Sequence, residues 1–165
     1  MGAAGGSCPE TAPGPGTPPV IDEFGAEAGS GQHRTVRVPW DAASVRRVRR
    51  TVVADLRARK MAATVVDEAE IVVSELVANS IRHARALADG SVRVHWKVKG
   101  SVVEVEVTDG GGPTFPRPAP QSTWAQAGRG LRIVRSLAHE WGVQEDRGSR
   151  TVWVALGGPS RRRTG

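Results

Sequence analysis

The sequence predicts a two-layer α/β sandwich, with helices packed on one face of a mixed, mostly antiparallel sheet. Two observations carry this. Apolar residues recur at helical spacing in three segments and alternate with polar ones in others, so helix-type and strand-type stretches succeed each other between residues 35 and 156. Turn residues (Ala88-Asp89-Gly90, Lys99-Gly100-Ser101) fall between the strand-type stretches, which brings neighbours together as hairpins.

In chain order, residues 1–33 are dense in Gly, Pro, Ala and Ser, with almost no bulky apolar side chain. That composition cannot offset the entropy of ordering, so a disordered leader is expected. Val36 and Val38 alternate in a short strand from Thr35 to Pro39, and Asp41 is placed to cap a first helix over about 41–59. Val45, Val48, Val52, Val53 and Leu56 form the apolar side of that helix, and Arg46, Arg47, Arg49 and Arg50 its wet side. A second helix is expected from Val65 or Val66 to Ala84, with Val65, Ala69, Val72, Val73 and Leu76 on its core-facing arc.

Strands follow at 91–98 and 102–108, the latter with Val103, Val105 and Val107 on one face. The stretch from Pro113 to Ala127 holds Pro113, Pro116, Pro118 and Pro120, too many prolines for a helix or a central strand. It reads as a long loop, either a lid or plain disorder. A third helix is expected over 130–139, then two strands at 141–146 and 150–156, and 157–165 as a disordered basic tail.

Length and composition bound the function. The 165 residues suffice for one domain plus tails. Cys8 is the only cysteine, which excludes an intramolecular disulfide and a cysteine-based zinc site and fits a reducing cytoplasm. No apolar run approaches a membrane span. The net charge of +6 raises the possibility of nucleic-acid binding. Its distribution argues against it, since the arginines lie on an amphipathic helix and in a tail (Arg161, Arg162, Arg163) without interleaved aromatics to stack on bases.

The chemistry is concentrated in three places. Glu75 and Asn79 are four residues apart on the second helix, hence roughly 40° apart on one face, at the border of its apolar arc. A carboxylate can orient or deprotonate a hydroxyl, and an amide oxygen is a hard ligand suited to Mg2+. In isolation the pair also fits a solvated flank. Asp109-Gly110-Gly111 ends a strand, as a turn or as a site. Gly128-Arg129-Gly130-Leu131 opens a helix, where free backbone N–H groups suit phosphate oxygens. No Gly-x-x-x-x-Gly-Lys-Ser/Thr loop, no Gly-x-Gly-x-x-Gly directly after a strand and no protein-kinase catalytic loop is present.

In order and spacing, these three boxes resemble those of the GHKL (Bergerat-fold) ATPase superfamily, which includes gyrase-type ATPases, histidine kinases and anti-sigma serine kinases. The chain looks most like the last group, over about residues 35–156, from Val36-Arg37-Val38-Pro39 through Ser74-Glu75-Leu76-Val77-Ala78-Asn79 to Thr151-Val152-Trp153-Val154. The resemblance implies the Bergerat fold, with ATP and Mg2+ as cofactors. Asn79 would ligate the metal and Glu75 would act as base. Asp109 would accept a hydrogen bond from the adenine amino group, beside Gly111, whose missing side chain would let the base approach. Gly128, Gly130 and Leu131 would form the phosphate box, with Arg129 placed to touch phosphate. Thr151 would support the adenine contact, although a threonine also suits any strand.

The implied function is a serine/threonine protein kinase of the anti-sigma factor type. Such a kinase phosphorylates an anti-anti-sigma (STAS-domain) antagonist and holds a sigma factor by partner switching. An ATP-binding regulatory module that sequesters a partner without phosphoryl transfer needs the same pocket, but has no use for a base at Glu75. Proteins of this kind are often homodimers, though no exposed face of the first helix or strand declares an interface. One departure stands out. The first glycine box of the superfamily commonly closes on glycine where this chain has Pro113, and proline cannot take a positive φ at the hinge.

Overall fold

A computed structural model describes residues 21–22, 32–112 and 128–158. The elements run β1 (Ile21–Asp22), β2 (His33–Pro39), α1 (Ala43–Ala58), α2 (Ala63–His83), β3 (Ser91–Lys99), β4 (Val102–Asp109), α3 (Gly128–Leu137), β5 (Glu140–Asp146) and β6 (Ser149–Gly157). The strands form one six-stranded sheet in the order β1-β2-β3-β4-β6-β5. The expected two-layer α/β architecture is present, and the elements match their expected positions to within a few residues.

Three local differences have physical reasons. The sheet was expected to be mixed, yet each pair of neighbours is antiparallel. After α3, the β5–β6 hairpin sets β6 against β4, so β4 and β5 run parallel but are never adjacent. Within the expected leader, Ile21–Asp22 pairs with Val36 and Arg37 and extends the sheet at its β2 edge. The second helix starts at Ala63, about one turn before its apolar arc alone requires.

Local chemistry explains the boundaries. Asp41 caps α1, its carboxylate accepting the Ser44 N–H at 2.8 Å and the Ser44 hydroxyl at 3.0 Å. The β3–β4 turn is a two-residue loop whose first residue, Gly100, takes φ +60°, which a side chain would strain.

The core lies between the helices and one sheet face. Val48, Val52 and Leu56 of α1 and Ala69, Val72, Val73, Leu76 and Val77 of α2 pack on Val36, Val92, Val94, Trp96, Val103, Val105, Val154 and Leu156. The buried arc of α2 thus contains the five residues expected on it. Under α1, the fully buried Asp55 accepts the Trp96 indole N–H at 2.7 Å and the Arg59 Nε–H at 2.7 Å, with Arg34 3.7 Å away. The expected wet face of α1 holds: Arg46 and Arg50 are exposed, and Arg49 lies 3.5 Å from Glu70 of α2.

Candidate functional site

Glu75 and Asn79 lie one turn apart in the second half of α2, both half-buried at the margin of its apolar arc. The Asn79 amide ends in a buried nitrogen, Nδ2, that has no hydrogen-bond partner among the described residues. Buried amide groups are almost always paired, so this unpaired one sets Asn79 apart. A half-turn of the amide puts its oxygen in that position.

The next residue, Ser80, is buried, and its hydroxyl donates to Asp109 Oδ2 at 2.7 Å. The other carboxylate oxygen accepts the Gly111 N–H at 2.8 Å. Asp109 is 3 % exposed at the end of β4 and is fixed from two sides, by α2 and by its own glycine turn. The structure therefore ties Asp109 to α2, the helix that carries Glu75 and Asn79, through Ser80.

The glycine run is shaped by the chain that leaves α2. Arg85 N donates to Gly111 O and Gly110 N to Arg85 O, each at 2.8 Å. A Cβ at Gly110 would collide with the Ala86 carbonyl oxygen, and one at Gly112 would sit 2.6 Å from His83 O. Gly111 has a different reason to be glycine, its φ of +73°. Close approach within the protein thus accounts for Gly110 and Gly112. At Gly111 an added Cβ would meet only the Arg150 guanidinium at 3.7 Å, an ordinary contact.

Thr151 lies one register position from the Asp109 pair and on the other sheet face. It pairs with Thr108, and their hydroxyls are 2.8 Å apart on the sheet face away from the helices. Side chains alternate along a strand, so the residue beside Asp109 on the helix face is its register partner Arg150. Thr151 is therefore excluded from direct contact on the Asp109 side. Arg150 is buried, donates to Gly112 O at 3.0 Å and lies 3.3 Å from Glu145 Oε1, tying the end of the glycine run to β6.

Helix α3, described over Gly128–Leu137, packs against α2, with Val134 buried and Leu131 half-buried on the core. Leu131 is thus a packing residue. The Arg129 side chain and the expected lid, including Pro113, lie outside the described residues. His83 is exposed at the end of α2.

Ser80 and Arg150 are two site residues that motif and spacing do not single out, yet both carry a signal. Ser80 falls on the buried arc of α2 after Val73 and Leu76, where a hydroxyl must find a partner. Arg150 has the same parity as Val152, Val154 and Leu156, whose faces are fixed by the core.

The histidine kinase-like ATPase domain family matches residues 38–156, most of the chain and all of the site just described. The chain belongs to that family. Among curated proteins none matches this ATPase domain. Its fold is similar to a crystal structure of the RsbU and RsbW domains of Rv1364c from Mycobacterium tuberculosis, at 21 % sequence identity and a TM-score of 0.56. The match covers 77 % of this chain and 34 % of the other, so this ATPase domain spans about a third of the length of that neighbour. Family membership implies that the domain binds ATP. Among the described residues, no helix is long and apolar enough to cross a membrane.

Proposed function

We propose that this chain is an ATP- and Mg2+-dependent serine/threonine protein kinase of the anti-sigma factor type, acting in the cytoplasm. In this reading it phosphorylates a STAS-domain anti-anti-sigma antagonist and holds a sigma factor according to the state of that antagonist. The observation that carries it is the orphaned Asn79 amide, one turn from Glu75 and one residue from the Ser80–Asp109 hydrogen bond.

Asp109 would select adenine by accepting its amino group next to Gly111, where the backbone is bare of side chain. Asn79 is the residue that would hold the metal, which when bound neutralises polyphosphate charge. Glu75 would take the proton from the substrate serine hydroxyl as that oxygen attacks the γ-phosphorus of ATP, the bond from that phosphorus to the β,γ-bridging oxygen breaks and ADP leaves. The backbone N–H groups from Gly128 to Gly130, with Arg129, would meet the phosphates at the start of α3. Phosphoryl transfer asks mainly for positioning and charge neutralisation, and these residue types supply both.

Incubation of the purified protein with labelled ATP and candidate STAS-domain proteins tests the reading. Phosphoserine or phosphothreonine that disappears with Glu75→Ala is the expected result. Tight ATP binding without transfer to any of them would instead support sequestration alone, and pull-downs with ATP present would identify the partner.

A further inference from the structure

On the sheet face away from the helices, a cavity of about 310 Å³ is bounded by β2, β3, the end of β4, the 87–89 turn and Ser149. Arg37 and Arg93, both lining it, are direct register partners on β2 and β3. Like charges directly opposite each other destabilise a sheet unless something between them is negative. Among the described residues that line the cavity, Asp89 is the one carboxylate; it accepts from Arg37 at 2.8 Å and is half exposed.

Arg93 makes no ion pair among the described residues. Its one hydrogen bond there runs from NH2 to the Thr108 hydroxyl at 3.3 Å, and its Nε is buried without a partner. The same cross-strand row continues through Thr108 to Thr151, whose hydroxyls share a single hydrogen bond. Two arginines and two hydroxyl-bearing residues, Thr108 and Ser149, line one open volume.

We propose that this cavity is a binding site for a small oxyanion, the phosphate or carboxylate group of a ligand, held between Arg93 and Arg37 with Thr108 and Ser149 at its edge. Guanidinium groups bind such anions through paired N–H donors, and Arg93 lines the cavity with no carboxylate paired to it among the described residues. The pocket lies across the sheet from Asp109 and shares two segments with the nucleotide box. Thr108 precedes Asp109, and the 87–89 turn follows Arg85, which bonds Gly110 and Gly111.

The test is a titration of the full-length protein with sodium phosphate, sodium acetate and sodium chloride at matched ionic strength, read from the amide resonances of Leu87, Asp89, Thr108 and Ser149. Saturable shifts with phosphate alone assign a phosphoryl group, and saturable shifts with acetate as well assign a carboxylate; either supports the site. Arg93→Gln should weaken that binding by about tenfold or more, the loss of one charge-assisted contact. Asp89→Asn, which removes the competing carboxylate without touching the core, should tighten it. Shifts that rise linearly, that chloride reproduces, or that neither variant changes would overturn the proposal.

Discussion

The Ser80 hydroxyl donates to Asp109 Oδ2 at 2.7 Å, a buried bond that joins α2 to the end of β4. It places the Asp109 carboxylate beside the helix that carries Glu75 and Asn79. Ser80→Ala removes the donor and leaves the acceptor buried, which should destabilise the fold by about 1–3 kcal/mol. It should also weaken ATP binding, because Asp109 loses one of its two anchors. Thermal melting and calorimetry on the same preparation check both effects; unchanged values would show that the bond is incidental.

The glycine run separates two kinds of constraint. Gly110→Ala drives a methyl into the Ala86 carbonyl, so the segment after α2 must move and nucleotide binding should fall with stability. Gly90→Ala meets no atom within 4 Å and suffers only from its φ of +77°, about 1–2 kcal/mol. ATP affinity should survive it. Denaturant melts and calorimetry on the two variants distinguish close approach from backbone strain.

Under α1, Asp55 is fully buried between Trp96, Arg59 and Arg34. Asp55→Ala leaves two arginines without their carboxylate and should cost about 3–5 kcal/mol. Trp96→Phe removes one donor and should cost about 1–3 kcal/mol. Urea unfolding should rank them in that order, with ATP affinity of the folded fractions unchanged.

Stability should depend on pH through His95. Burial, the largest cause, pulls its pKa below the usual value, with nearby His33, Arg93 and Lys97 adding to the effect and Glu106 opposing it. The unfolded chain then binds the proton first. Stability is therefore complete above about 6.5 and declines as pH falls through the lowered folded value. His95→Gln should flatten that decline. Asp89, lowered chiefly by the Ser91 hydroxyl, belongs to a separate window below 3.8, where its contribution is lost as acid protonates it. Melting temperatures followed from about pH 7.5 down to about pH 3 separate the two windows, because histidine and aspartate ordinarily titrate roughly two to three pH units apart.

Much of the fold was legible in the sequence because its signals are local. The valines of β4 alternate, α2 repeats at helical spacing, and Gly100 and Gly90 mark turns. The order of strands was not legible. That β6 rather than β5 lies beside β4 follows from how a hairpin returns after α3, and periodicity does not encode it. For the candidate site, Glu75, Asn79 and Asp109 stood out by residue type and spacing. That Arg150 rather than Thr151 shares the helix face with Asp109 depends on strand register, because in a strand one position is the other face. The reasons for Gly110 and Gly112 lie in the carbonyls of Ala86 and His83, contacts between segments some 25 residues apart that spacing alone does not reveal.

The kinase reading rests most directly on one measurement: isothermal calorimetry of ATP with Mg2+ on the folded protein, its Asn79→Ala variant and its Asp109→Ala variant. The expected result is binding by the parent chain, with each substitution weakening it by tenfold or more, at least about 1.4 kcal/mol. Loss of magnesium dependence should accompany Asn79→Ala, and loss of preference for ATP over GTP should accompany Asp109→Ala. No heat of binding from the folded parent, or equal affinity in all three proteins, would contradict it.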